Sequence, residues 1–285
     1  MNDIALTLDV DWSPDFVIDA VAGILIESQV CATWFIKHNS PAIERLRDNS
    51  KLFELGIHPN FLPGSTHGST PTEVLRHCMD LVPEATTMRT HGLIQSGQLL
   101  ETALNETPIR VDVSLFLPQM PHIRPIQYER PAGMLIRVPS FWEDRYEMEV
   151  SQPSWRLCDE LVVPGLKIFS FHPIHVYLNS SLPSYDSVKR LGRLPELSAN
   201  DVAPYIQPSY GPQTLFREII ELLGLSENSR RICDIVHLTL QPVYARIVRP
   251  HAAVRPVRYI GARTVTTAAR RLRGTVNYPR GDPRP

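Results

Sequence analysis

The sequence predicts an α/β fold built on mainly parallel strands. Three observations lead there. Short apolar runs alternate with segments of helical apolar spacing. Titratable residues recur just past the ends of the apolar runs. The chain has 285 residues, 43% of them apolar, enough for one sizeable core.

The elements follow in order. Ile4–Asp11 reads as a buried strand ending in two carboxylates, and Asp15–Val30 as a helix with Ser13 or Asp15 as cap. Cys31–Ile36 is a second strand, and Pro41–Asn49 a short helix opened by Ser40 and Pro41. Phe53–Ile57 is a third strand, with His58 at its carboxyl end. The segment 59–70 is rich in Pro, Gly, Ser and Thr and forms a loop. Pro71–Leu81 is helical with Thr70 as cap, Thr86–Arg89 a strand, Ile94–Leu104 a helix and Ile109–Phe116 a strand. Leu117–Gly133 carries four prolines and reads as a long loop. Leu135–Val138 and Lys167–Phe171 complete the strands, and the amphipathic helix Pro212–Leu223 closes the body. The domain boundaries expected are 1–238 for a catalytic body and 239–285 for a disordered Arg/Pro-rich tail.

The formal net charge of −1 hides an asymmetry. From Ala245 to Pro285 there are ten Arg, no Lys and one acid, Asp282. The overall balance argues against nucleic acid as a partner. Cys31, Cys78, Cys158 and Cys233 are scattered, which suits reduced thiols in a cytoplasmic protein rather than a zinc knuckle. The N-terminus shows no leader, and no apolar run is long enough for a membrane span.

In parallel α/β sheets, functional groups collect at the carboxyl ends of strands. Asp9 and Asp11, two apart, are placed on one strand face, where their repulsion calls for a divalent cation; the plain alternative is a pair of helix N-cap residues. His58 and His67 flank the Pro/Gly-rich loop. Two imidazoles and a carboxylate suit zinc, cobalt or nickel, with positions left for water. Arg89 suits a charge-assisted pair with Asp9, and His91, on the same strand face, is assigned to substrate contacts. His172 or His175 suits protonation of a leaving amine. In the predicted loop Phe141-Trp-Glu-Asp144, Trp142 and Asp144 are assigned to a sugar pocket, against the plainer reading of a loop packed on its own aromatics. No G-x-S-x-G, G-x-G-x-x-G or phosphate-cradle motif is present, so serine hydrolases and nucleotide-binding folds lose support.

Several of these segments resemble the NodB-homology polysaccharide deacetylases, carbohydrate esterase family four in the broad sense. Leu6-Thr-Leu-Asp-Val-Asp11 is similar to the family's first motif, Ala32-Thr-Trp-Phe35 to its Ala-Thr-Phe-Phe strand, and Glu54-Leu-Gly-Ile-His58 to the approach to its metal histidines. Position 62, where a His-x-x-x-His motif would have its second histidine, is Leu62, and His67 is taken instead. The Arg-Thr-His-Gly-Leu and Phe-His-Pro-Ile-His segments resemble the divergent WbmS-type branch. The resemblance implies a distorted (β/α) barrel of about seven strands. It implies Asp9 as base tuned by Arg89, Asp11 as metal ligand, and His172 as acid. It also implies hydrolysis of an N-acyl group on a lipid- or nucleotide-linked amino sugar of O-antigen or capsule. Two other functions stay open: hydrolysis of a small non-sugar amide, and sugar binding without turnover.

Overall fold

The structure, a computed structural model, describes residues 3–224 and 229–247. Strands and helices alternate from the start. β1 (Ile4–Asp9), α1 (Asp15–Glu27), β2 (Ala32–Ile36), α2 (Ala42–Asp48) and β3 (Phe53–Ile57) are followed by α3 (Pro71–Leu81), β4 (Thr87–Met88), α4 (Gly97–Glu106) and β5 (Val111–Asp112). β6 (Ile126–Arg130), β7 (Gly133–Arg137), β8 (Trp142–Glu143), α5 (Asp144–Glu149), α6 (Leu157–Leu161) and β9 (Lys167–Phe171) come next. The chain then turns helical through α7 (Pro173–Leu178), α8 (Leu182–Lys189), α9 (Ala199–Val202), α10 (Pro212–Gly224) and α11 (Ile232–Ile247).

Among the described residues, nine strands form one sheet in the order β6-β7-β5-β4-β3-β2-β1-β9-β8. All neighbours are parallel except the β6–β7 hairpin. The two ends of that order do not pair, so the sheet is a curled half-barrel, as the α/β barrel expectation implies. The strand number exceeds the expected seven because β6 and the two-residue β8 extend the edges. β6 lies inside the stretch expected to be a loop. Its mostly exposed, alternating pattern is that of an antiparallel edge strand, where neighbouring prolines are tolerated. β1, β2 and β9 are buried at every residue, as strands covered on both faces must be.

Local chemistry explains most element ends. Thr70 caps α3 in a full capping box with Glu73, and Pro71 occupies the first turn, where its missing N–H costs nothing. α1 departs from expectation: Pro14 is its N-cap and makes no side-chain cap bond, while Asp15 accepts a hydrogen bond from Ser40 Oγ ahead of α2. β5 is far shorter than the apolar run 109–116, because pairing to β4 lasts for only two residues. α10 is not the last element of the body. α11 lays Ile232, Ile235 and Val236 into the main core, and its first backbone amides are held by Thr33 and Glu54. The expected boundary at residue 238 therefore falls inside a helix. Residues 248–285, with most of the arginine-rich tail, lie outside the described residues. No described helix is long and apolar enough to cross a membrane.

Candidate active site

The carboxyl ends of the parallel strands converge on a cleft of about 340 Å³ lined by Asp9, Asp11, His58, His91, Glu143 and His172, among others. A larger surface concavity, about 680 Å³, lies around Trp155 and Tyr210 but holds none of these groups. The chemistry therefore singles out the smaller one.

β1 ends at Asp9, whose carboxylate is 4% exposed. Arg89, immediately after β4, donates from Nη1 to Asp9 Oδ1 at 2.8 Å. The guanidinium also donates to Ser170 Oγ, Ser140 Oγ and the Val113 carbonyl, and it stacks over Phe35 at 4.6 Å. With each nitrogen engaged, its orientation is fixed. Burial alone would raise the Asp9 carboxyl, but Arg89, followed by His58 and His172, outweighs it and holds the group below its ordinary value.

Asp11 is not on the strand, so the expectation that it shares a face with Asp9 gives way to a different device. Its backbone sits in the left-handed region at φ 46°, a conformation Asp tolerates better than most residues, and its carbonyl meets His38 Nδ1 at 2.6 Å. This turn aims the carboxylate at two imidazoles. His58 Nε2 lies 3.3 Å and His91 Nδ1 3.0 Å from Asp11 Oδ1, and the two ring nitrogens are 3.4 Å apart. His58 Nδ1 is 2.7 Å from the Arg89 carbonyl oxygen, to which it can only donate, so Nε2 presents its lone pair to the cluster. Burial lowers the His58 pKa, which keeps the ring neutral, as a ligand must be. Burial also opposes the Asp11 charge, but the adjoining imidazoles of His58 and His91, and then the charge on His172, prevail and hold the carboxyl well below its usual range.

The metal set expected from sequence is thus only partly assembled. Asp11, His58 and His91 offer ligand atoms all within 4.8 Å of one another. His67 is elsewhere: its Nδ1 accepts from the Asn60 amide at 3.3 Å and lies 3.4 Å from Cys78 Sγ, while the ring stacks on His77. Burial and then the neighbouring His77 lower it to about 4, and it packs as a neutral structural residue. The expectation that His91 shares a strand face with Arg89 also fails. β4 stops at Met88, and the His91 amide donates to the Pro59 carbonyl at 2.9 Å, which brings its ring beside His58.

Opposite the metal candidates stands His172, just past β9. Its Nδ1 is 2.7 Å from Asp144 Oδ1, its backbone amide donates to Asp144 Oδ2, and its Nε2 lies 3.7 Å from Asp11 Oδ2. Burial works against a charge on this ring, but Asp144, then Asp11 and Asp9, raise it to about 10. Asp144, expected to contact substrate, is fully buried and acts instead as the partner that orients His172. His175 stands behind His172 and against Tyr185, and burial lowers it to about 4. Asp144, His172 and His175 also meet the spacing of a cation site. Both Asp144 oxygens, however, already engage His172, which reads as an orienting hydrogen-bond pair.

Trp142 is 2% exposed, packed on Trp155, Phe169 and Phe171, so it is core and not a stacking wall. Besides its histidines, the cleft is lined by two aromatic side chains, Tyr185 and Trp12, the second of which directly follows Asp11 and is missed in the sequence. Glu143 also lines the cleft, with burial pushing its carboxyl up to about 7. Lys37 is the other residue missed. It follows β2 immediately, at a strand end like the other site residues, and its Nζ donates to Asp11 Oδ1 at 3.2 Å. Burial draws its pKa down to about 8, partly offset by Asp11.

The family model described as WbmS-like polysaccharide deacetylase matches residues 6–189. Among solved structures, the chain is similar to a Bordetella bronchiseptica protein assigned to polysaccharide deacetylation in O-antigen biosynthesis, at 29% identity and TM-score 0.65, over 77% of this chain and 90% of that one. More distant matches include the peptidoglycan deacetylase PdaC of Bacillus subtilis, at 12% identity and TM-score 0.46 over 88% of this chain and 98% of that one. Another is a family 4 acetyl xylan esterase of Clostridium thermocellum, at 15% identity and TM-score 0.42 over 82% and 90%. A comparison with curated proteins finds no match.

Proposed function

Since this chain belongs to the WbmS-like polysaccharide deacetylase family, we propose that it is a metal-dependent hydrolase that removes an N-acyl group, N-acetyl in the simplest case, from an amino sugar of a bacterial surface polysaccharide. The observation that carries the proposal is the convergence, in one cleft, of an arginine-buttressed Asp9, an Asp11–His58–His91 cluster and an aspartate-oriented His172.

Asp11, His58 and His91 hold a divalent cation, zinc or else cobalt or nickel; two imidazoles and one carboxylate are a donor set that such ions accept with positions to spare. When bound, the ion polarises the acyl carbonyl and makes a water more acidic. Asp9, kept ionised by Arg89, takes the proton of the attacking water. His172, held by Asp144 with Nε2 toward Asp11, delivers a proton to the departing sugar amine. Trp12 supplies an apolar wall against which a sugar ring rests. His175 supports the His172 ring. A lipid- or nucleotide-linked precursor in the cytoplasm is the form of substrate proposed, and the described cysteines, all free, suit that reducing compartment.

The test is acetate release from N-acetylated nucleotide-linked sugars, set against a panel of small acetamides, with chelated protein reconstituted with Zn2+ or Co2+. Turnover of the sugars that disappears on chelation and returns with metal is expected. Turnover confined to small amides, or undiminished by chelation, contradicts the reading.

A further inference from the structure

Each of the two aspartates of the cleft has a private buried cation. For Asp9 it is Arg89. For Asp11 it is Lys37, whose side chain is fully buried while Asp11 retains 17% exposure. The ammonium is clamped between the carboxylate, 3.2 Å away, and the face of Trp12, whose ring centroid is 3.3 Å from Nζ. Lys37 does not line the cleft, so it does not reach a substrate. It touches the same oxygen, Oδ1, that faces His58 and His91.

A buried carboxylate without a partner is costly, and in a metal site the ion usually removes that cost. Here an ammonium of the chain stands in position to remove it. We infer that Lys37 is a positioning residue, a built-in counter-cation of Asp11, that preserves the site's geometry when no ion is bound and makes the ion weakly held and readily exchanged. This rests on the proposed ligand set of Asp11, His58 and His91. The physical reason for weak binding is direct: a divalent ion entering beside Asp11 meets a fixed positive charge a few ångströms away, in surroundings where charges are poorly screened. Loss of Lys37 does not set Asp11 loose, since His38 holds its backbone carbonyl and both imidazoles face its carboxylate. Relief of repulsion therefore outweighs loss of orientation.

The experiment is titration of Co2+ into chelated full-length wild type, Lys37→Met and Lys37→Gln at pH 7, followed calorimetrically, with thermal melts of each protein with and without Co2+. The dissociation constant is expected to fall about tenfold or more in both variants. Chelated wild type is expected to melt within a few degrees of its Co2+ form, and the variants to melt lower when chelated and to recover with Co2+. A variant that folds only in the presence of Co2+ is the extreme of the same result. Equal or weaker Co2+ binding in the variants overturns the inference, as does wild type that unfolds on chelation, a measurement that needs no variant. Wild type that takes up no Co2+ contradicts the ligand set itself, and that failure is thereby told apart from failure of the Lys37 argument.

Discussion

At the amino ends of β2, β3 and β4, Glu54 Oε2 accepts from Thr33 Oγ1 and the Cys233 amide, Oε1 accepts from Thr87 Oγ1, and Thr33 Oγ1 accepts the Ile232 amide. At the carboxyl ends of the same strands, His58 Nε2 and His91 Nδ1 crowd against Asp11 Oδ1 at 3.3 and 3.0 Å. Both clusters place a carboxylate among polar partners on a rigid sheet. In the first, each acceptor meets its own donor, and the product is a clasp that docks α11. In the second, lone pairs converge on one another in an open cleft, which leaves a place for a cation. The difference between structure and function lies in that surplus of acceptors, not in residue type.

The comparison breaks most visibly at Asp9. Asp9→Asn is expected to lower turnover on the order of 10³-fold, the range of general-base catalysis, with metal content unchanged. Steady-state assay with metal analysis checks it; activity near wild type removes Asp9 as the base. Next comes the choice between histidines. His91→Ala is expected to weaken Co2+ binding about 100-fold or more, since loss of a direct ligand costs at least the upper end of what outer partners cost. His67→Ala should leave Co2+ affinity within about twofold of wild type, judged against the same ligand losses. The reverse pattern restores His67 as ligand. At the clasp, Glu54→Gln should destabilise by about 1.5–3 kcal/mol, because hydrogen bonds to a charged acceptor are weakened. Its kcat/KM under folding conditions should not move; a loss of rate without loss of stability would blur the contrast between the two ends.

The smallest effect concerns another buried carboxyl, Glu160, 1% exposed, which burial and then Glu147 raise to about 7. A carboxyl whose folded value lies above its ordinary one favours folding while protonated. That contribution is complete below the ordinary value and is lost as pH rises through about 7. Glu160→Gln should therefore melt higher than wild type at pH 8 and close to it at pH 5. A constant offset at both pH values contradicts this assignment.

Much of this was legible in the chain itself. β3 and β9 have the expected bounds, because a short apolar run between breakers leaves few alternatives, and His58 and His172 stand past their ends as expected. Thr70, Pro71 and Glu73 spell out the start of α3 locally. What escaped depends on contacts between distant segments. His91 joins the cluster through its amide on the Pro59 carbonyl, a bond that no spacing between His58, His67 and His91 discloses. Asp144 looked like an exposed loop acid because its partner, His172, is 28 positions on. Trp142 looked like a sugar platform because Phe169 and Phe171, which cover it, come from the neighbouring β9. Lys37 carries the same local signal as His58, a titratable residue directly after an apolar strand. α11 was missed because, among its described side chains, a narrow stripe of Ile232, Ile235 and Val236 faces the core.

The account rests on one cation held by Asp11, His58 and His91 at the mouth of β1, β3 and β4. Anomalous diffraction from crystals of the Co2+-loaded protein, recorded at the cobalt edge, tests this most directly. A single strong peak in contact with Asp11, His58 Nε2 and His91 Nδ1, clear of His67, is the result predicted. A peak at His67 and Cys78, or one among Asp144, His172 and His175 with none at Asp11, would contradict it.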